Sequence, residues 1–194
     1  MTTSSCPNSL RNGEWDLVAG CRNGDLSAFE QLYQMHAARM KSIACNLLRN
    51  ASDAEDAVQE TFLKTYRGVA NFKGSSSLST WIYRILVNVC YDLRRRRGRS
   101  REISGETTPG HELDAPGGVT DHPLRLTLEA CLDRLSPRPR TVFVLFEVEG
   151  FRHREIAEIL EIPEGTSKNL LFEAKRELRR LIFGSGKIGK FNDL

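Results

Sequence analysis

Ser52-Asp-Ala-Glu-Asp-Ala-Val-Gln-Glu-Thr-Phe-Leu-Lys-Thr-Tyr-Arg-Gly-Val69 reads as a single amphipathic helix. Its apolar and small residues Ala54, Ala57, Val58, Thr61, Phe62, Thr65 and Val69 recur in steps of three and four, which places them on one face of a 3.6-residue turn. Ser52 with Glu55 three residues later predicts an N-cap and a capping box. Acids open the segment (Asp53, Glu55, Asp56, Glu60) and bases close it (Lys64, Arg67), the order the helix dipole favours.

The same period continues on either side. Upstream, from Asp25, the residues Leu26, Phe29, Leu32, Tyr33, Met40, Ile43, Ala44 and Leu47 predict a helix ending near Asn50. Downstream, a break at 71–77 containing Gly74 precedes a third helix. Its apolar set is Leu78, Trp81, Ile82, Ile85, Leu86, Val89 and Leu93, and it runs into a block of arginines. Residues 98–122 hold Gly105, Pro109, Gly110, Pro116, Gly117 and Gly118 and keep no period, the composition of a linker. Beyond it, Ser136-Pro137 predicts an N-cap followed by proline at the first helical position, opening a helix through Glu149 that stops at Gly150. A short helix over about 152–160, a turn at 161–163 and a longer helix over about 165–182 complete the pattern.

No stretch shows the sustained alternation of a strand. The expected fold class is all-α, with two small helical domains joined by a flexible acidic linker. The expected boundaries are a disordered N-terminus at 1–14, a first domain at 15–98, the linker at 99–122, a second domain at 123–183 and a tail at 184–194.

The 194 residues are 40% hydrophobic and 27% charged, a globular balance. The 28 Lys and Arg face 25 Asp and Glu, and the resulting net charge of +3 hides an asymmetry. Residues 94–101 hold six arginines and no acid, whereas 102–122 hold five acids and no Lys or Arg. A basic block of this kind suggests nucleic acid. The longest apolar runs, at 85–87 and 142–146, fall far short of a membrane span, and the polar start at 1–13 lacks the apolar stretch of a signal peptide. No membrane insertion and a cytoplasmic location are therefore expected. The cysteines Cys6, Cys21, Cys45, Cys90 and Cys131 include no C-x-x-C pair and read mostly as small core residues. His36, His111, His122 and His153 have no Cys neighbours and make no zinc pattern, so neither metal nor cofactor is expected.

Short helix, three-residue turn and longer helix form the arrangement of a helix-turn-helix, with an ordinary helical hairpin as the alternative. Ala157 would sit at the close approach, and Ile156, Leu160, Ile162, Leu170 and Leu171 would supply the small core. The second helix would present Thr166, Ser167, Lys168 and Asn169 to base edges in a major groove. Lys175, Arg176, Arg179 and Arg180 would reach phosphates.

Four consecutive arginines, Arg94, Arg95, Arg96 and Arg97, exceed what a helix C-terminus needs and repel one another without an anionic partner. The aromatics Phe72, Trp81, Tyr83 and Tyr91 and the polar Asn71, Ser75, Ser76 and Asn88 lie near them in sequence. Together they suit unpaired bases, although Trp81 on an apolar stripe equally fits a core. The acids at 53–60 admit three readings: helix capping, a divalent metal site, or a docking surface. Asp56 and Glu60 are like charges four apart, which costs helix stability and which capping does not explain. A metal would need ligands from a second element. Docking onto a basic partner is the preferred reading.

At this point a family is recognisable. Asp53-Ala-Glu-Asp-Ala-Val-Gln-Glu60-Thr-Phe62, then Phe72-Lys-Gly, Ser79-Thr-Trp-Ile-Tyr-Arg84-Ile and Asn88…Asp92…Arg94–Arg97, resembles the second conserved region of bacterial sigma factors. The resemblance is greatest to the extracytoplasmic-function class, which keeps two domains. Leu135-Ser-Pro-Arg-Pro-Arg140…Phe143…Leu145…Glu149-Gly150, with Glu155-Ile-Ala-Glu-Ile-Leu160…Ile162-Pro…Gly165-Thr166…Lys168, resembles the fourth region.

The resemblance implies a protein with no catalytic activity of its own that binds core RNA polymerase and directs initiation at promoters. Asp53, Glu55, Asp56, Gln59, Glu60 and Leu63 would meet the clamp helices of the largest subunit, with the polymerase flap as a further contact. Asn71, Phe72, Lys73, Ser75, Ser76 and Trp81 would handle a flipped base of the minus-ten element, beside Arg84, Asn88 and Arg94–Arg97 on the melting strand. Glu164, Gly165, Thr166, Ser167, Lys168, Asn169, Lys175, Arg176 and Arg179 would face the minus-thirty-five element. The acidic linker would pass through basic channels of the polymerase, and an anti-sigma factor would be a further partner. The bound protein would be nucleoid-associated.

Four positions depart from the family pattern. Glu161 stands where a turn glycine is usual, which implies positive φ at a non-glycine residue. Arg152 replaces the usual Ser or Thr cap. Leu170 and Glu173 stand where bases are common. Two other functions compete with the sigma reading. A stand-alone helix-turn-helix regulator would leave the acidic face without a role. A metal-dependent nucleic-acid enzyme would depend on Glu60.

Overall fold

The computed structural model describes residues 8–104, 128 and 130–183, with side chains from 13 to 99 and from 130 to 183 together with 128. The described residues contain helices and turns and no strand. Contacts divide them into two compact units, one built on the helices up to Ser104 and the other on those from Pro137.

The first unit contains α1 (Asn8–Arg22), α2 (Leu26–Leu48), α3 (Ala51–Gly68), a 3-10 turn at Val69–Asn71 and α4 (Leu78–Ser104). Its core is the meeting of three stripes: Leu32, His36, Met40, Ile43 and Leu47 of α2, Ala54, Ala57, Val58, Thr61 and Thr65 of α3, and Leu78, Ile82, Leu86, Val89 and Cys90 of α4. Leu17, Val18 and Cys21 of α1 are buried as well. Residues 8–14, expected within a disordered N-terminus, belong to α1 instead, while 1–7 lie outside the described residues. Asp25 caps α2, its carboxylate accepting from Ser27 N at 2.9 Å.

The expected cap of α3 is corrected. Asn50, not Ser52, is the N-cap, and its side chain accepts from Asp53 N at 2.8 Å. Arg49 at φ 57° ends α2 in the left-handed conformation, and α3 starts two residues earlier than the Ser52 signal indicated. Glu55 is thereby freed from capping and binds Lys41 at 2.7 Å. Helix α4 is longer than expected: residues 99–104, assigned to the linker, continue it, and Gly98 does not interrupt it. Arginine is a good helix former, which offsets the single glycine. Residues 105–122 of the expected linker and the tail at 184–194 lie outside the described residues.

The second unit contains a helical turn at 130–133, α5 (Pro137–Phe143) running into a π-helical turn at Val144–Val148, α6 (His153–Leu160) and α7 (Glu164–Phe183). Pro137 holds the first turn of α5 as expected, but Ser136 makes no side-chain cap bond. The helix expected through Glu149 widens at its end, with Glu149 N donating to Val144 O at 3.0 Å. Cys131, Leu132, Leu135, Ala174 and Leu178 cluster, with Phe143 and Leu181 against them. Ile156 and Leu171 are buried as expected, whereas Leu160, Ile162 and Leu170 are only half-buried.

Glu161 has φ 54°, the conformation its glycine-like position implied. The expected weak cap at Arg152 is rebuilt from the other side: Glu155 Oε2 accepts from Arg152 N at 2.7 Å, the reciprocal half of a capping box. Arg152→Ser would complete the box and raise the stability of this unit by about 1 kcal/mol, whereas Glu155→Ala would lower it by a similar amount. Urea unfolding followed by circular dichroism reads both changes.

Candidate nucleic-acid interface

The loop between the 3-10 turn and α4 is held from three directions. Phe72 is 7% exposed, its ring between Trp15 (centroids 6.1 Å apart) and Trp81 (5.2 Å). Arg22 of α1 donates through Nε to Val69 O at 3.3 Å and through Nη2 to Phe72 O. Ser77 closes the loop onto α4, its hydroxyl accepting from Thr80 N at 3.0 Å. Phe72, expected to handle a flipped base, is buried here and anchors the loop between the two tryptophans. Asn71, Lys73 and Ser75 remain exposed at its surface, with Ser76 half-buried. Trp81 is half-buried, as its place on the apolar stripe allowed.

On α4, Asn88 is exposed and Arg84 half-buried. The arginine block is not uniform. Arg95 pairs with Asp92 at 2.9 Å, and Arg97 binds Asp53 of α3 at 2.8 Å. Arg96 and Arg99 are exposed and Arg94 half-buried. Asp53, expected among the docking residues, ties α3 to α4 through Arg97.

The outer face of α3 carries Asp56, Gln59, Glu60 and Leu63, all exposed. Glu60 lies 3.5 Å from Lys64. Lys41 holds the Glu55 carboxyl below its ordinary range by hydrogen bond and charge, and is itself raised in return. Periodicity assigned Tyr33, Phe62 and Leu26 to the core, yet Leu26 and Tyr33 are exposed and Phe62 is half-buried. Phe29 meets Tyr66 and Tyr33 meets Phe62 in tilted ring contacts, each pair 4.8 Å apart, forming an aromatic ladder across α2 and α3. With Leu63 and Tyr66 also exposed, this face is an apolar surface with acids beside it, the composition of a docking site. The acids do not converge, and among the described residues no group of three or more His, Cys, Asp or Glu could hold a metal ion.

In the second unit, the buried stripe of α7 is Ser167, Leu171, Ala174 and Leu178. Ser167 is 0% exposed and bonds His153 Nδ1 at 2.9 Å, while His153 stacks on Phe146 at 4.5 Å. Ser167, expected at base edges, is buried and joins α6 to α7 through His153. Lys175 is paired with Glu147 at 2.6 Å and remains half-exposed. The outward face holds Glu164, Gly165, Lys168, Asn169, Arg176 and Arg179, with Thr166 half-buried. Lys168 and Glu164 pair at 2.7 Å, which keeps the Glu164 carboxyl below its ordinary range. Phe172, which sequence reasoning missed, is 65% exposed one turn beyond Lys168. Its signal was that it falls outside the buried stripe.

Cys21, Cys90 and Cys131 are buried, as expected of core residues, and Cys45 is half-buried; Cys6, His111 and His122 lie outside the described residues. Burial pushes the Cys90 thiol up to about 12, and burial together with Asp25 raises that of Cys21, so both are protonated at neutral pH. No helix among the described residues is long and apolar enough to cross a membrane.

Residues 32–100 match the Sigma-70 region 2 family and residues 125–178 match Sigma-70, region 4. The chain is 32% identical to the ECF RNA polymerase sigma factor SigE of Mycolicibacterium smegmatis, covering 79% of this chain and 61% of that protein. It is 30% identical to the sigma factor SigM of Mycobacterium tuberculosis, covering 86% and 83% respectively. Among solved structures it resembles the sigma factor RpoE in complex with the anti-sigma factor NepR from Bartonella quintana. That match has a TM-score of 0.68 and 26% identity over 81% of this chain and 98% of that one. A loop-bearing helical unit followed by a helix-turn-helix, each matching its own sigma region in the same order, establishes that the chain belongs to the extracytoplasmic-function class of RNA polymerase sigma factors.

Proposed function

We propose that this sigma factor docks on core RNA polymerase through the acidic and aromatic face of α2 and α3, engages the minus-ten element with the loop at 71–77 and the arginines of α4, and reads the minus-thirty-five element with α7. The observation that carries this reading is the placement of the loop directly before α4. One continuous helix then joins the base-facing residues to Arg94, about 24 Å further along its axis. A strand released at the loop would meet cations along the same rod, and a flipped base costs a few kcal/mol that those contacts offset.

The protein acts as a binding subunit, without catalysis, in the cytoplasm and at the nucleoid when bound to polymerase. The Bartonella relative was solved with an anti-sigma factor, and the exposed apolar ladder gives this chain a surface for comparable control. Core binding is tested by co-elution of the purified chain with sigma-free bacterial core polymerase on a sizing column. A stoichiometric complex is expected, and a free chain in every fraction would remove the docking assignment.

On α7, Lys168 and Asn169 supply donors to bases or phosphates, and Phe172 supplies an apolar surface suited to a thymine methyl. Lys168→Ala is expected to reduce transcription from a promoter selected by the holoenzyme about tenfold, with core affinity unchanged. Equal losses in both measurements would take α7 out of the promoter contact.

A further inference from the structure

We propose that α1 is the positioning element of the minus-ten loop, with Arg22 and Trp15 setting the backbone conformation on which base discrimination depends. This rests on the reading of residues 71–77 as the base-facing loop. Arg22 grips two carbonyls three residues apart, Val69 O at the start of the 3-10 turn and Phe72 O in the loop, so a single planar guanidinium fixes the turn that Phe72 ends. Trp15 covers the other side. Its ring packs against Phe72, and it occupies the space above Gly74, where a Cβ would come within 2.5 Å of the indole.

Gly74 has φ 68°, a conformation open to glycine at little cost, so the loop bends sharply just where Trp15 rests on it. Loop residues Asn71, Lys73 and Ser75 have exposed side chains. Their directions are therefore set by the backbone, and the backbone is held by a helix some fifty positions earlier. Arg22 and Trp15 act through the loop.

The test uses the full chain reconstituted with sigma-free bacterial core polymerase and a pool of single-stranded oligonucleotides carrying a randomised stretch. The readout is the preference for the best over the worst base at the most selective position. Arg22→Met keeps the stem and removes both donors. It is expected to lower that preference about tenfold while co-elution with core stays at the wild-type level. Arg22→Lys, which offers a compact ammonium in place of the fork, is expected to recover part of the loss. Trp15→Ala is expected to flatten the preference by the independent route of releasing Gly74, and it carries the test alone if Arg22→Met fails to fold by circular dichroism.

A substitution that only loosened the unit would reduce the amount of active holoenzyme and leave the preference of the remainder intact. Wild-type preference in the folded variants overturns the proposal. Absence of any preference in the wild-type holoenzyme overturns instead the reading of the loop as base-facing, and this proposal with it.

Discussion

Asp56→Lys combined with Glu60→Lys is expected to weaken binding to core RNA polymerase by about a hundredfold or more, because like charges placed against a basic partner cost several kcal/mol. Both side chains are exposed on α3 one turn apart, and neither contributes to the core. Lysine is as good a helix former as glutamate, so helicity measured by circular dichroism should not change. The wild-type arrangement keeps two like charges four residues apart, a local cost that a docking surface explains. A titration of labelled chain with core polymerase gives the result. Unchanged affinity would show that the partner does not meet this face of α3, and the aromatic ladder beside it would lose its assigned role.

Asp133→Ala is expected to destabilise the second unit by about 3 kcal/mol, the low end for breaking a buried ion pair, because Asp133 itself is part-exposed. Arg140 is 2% exposed, and its guanidinium meets the Asp133 carboxylate at 2.9 Å. Stability of about 0.05–0.15 kcal/mol per residue leaves a unit of this size little beyond that loss. Hydrogen exchange should therefore show protection collapsing across α5–α7 while α2–α4 keep theirs. Replacing the pair together, Asp133→Leu with Arg140→Met, is expected to restore most of the stability, since apolar side chains of similar volume carry no desolvation penalty. If the single substitution left protection in α7 unchanged, the ion pair would not be what holds α5 in place.

Several corrections share one physical origin. Phe72 in a polar loop and Ser167 near the start of a recognition helix both have the chemistry of nucleic-acid contacts. Each is buried because a residue distant in sequence covers it, Trp15 in one case and His153 in the other. Tyr33 and Phe62 fell on apolar stripes, yet they form an outward ladder, because a stripe wider than the partner helices leaves its margin in solvent. Helix α1 was missed for a related reason. Gly13 and Gly20 weaken its propensity, and its buried residues Leu17, Val18 and Cys21 are too few to stand out until they pack inside the unit. The left-handed Glu161 was legible only through the family resemblance, which places a glycine at that turn position.

Helix periodicity, turn residues and charge blocks are local properties, and they were enough to place α2–α4 and α5–α7 in order, the break at 71–77 and the helix-turn-helix in the chain. Which side chains of those helices face a partner depends on segments tens of residues away. Asp53 tied to Arg97, Lys175 to Glu147 and the loop carbonyls to Arg22 are pairings that no spacing along the chain encodes. They form because burial of the helical stripes fixes how the helices pack, and a charged group then takes the nearest opposite charge or carbonyl which that packing presents.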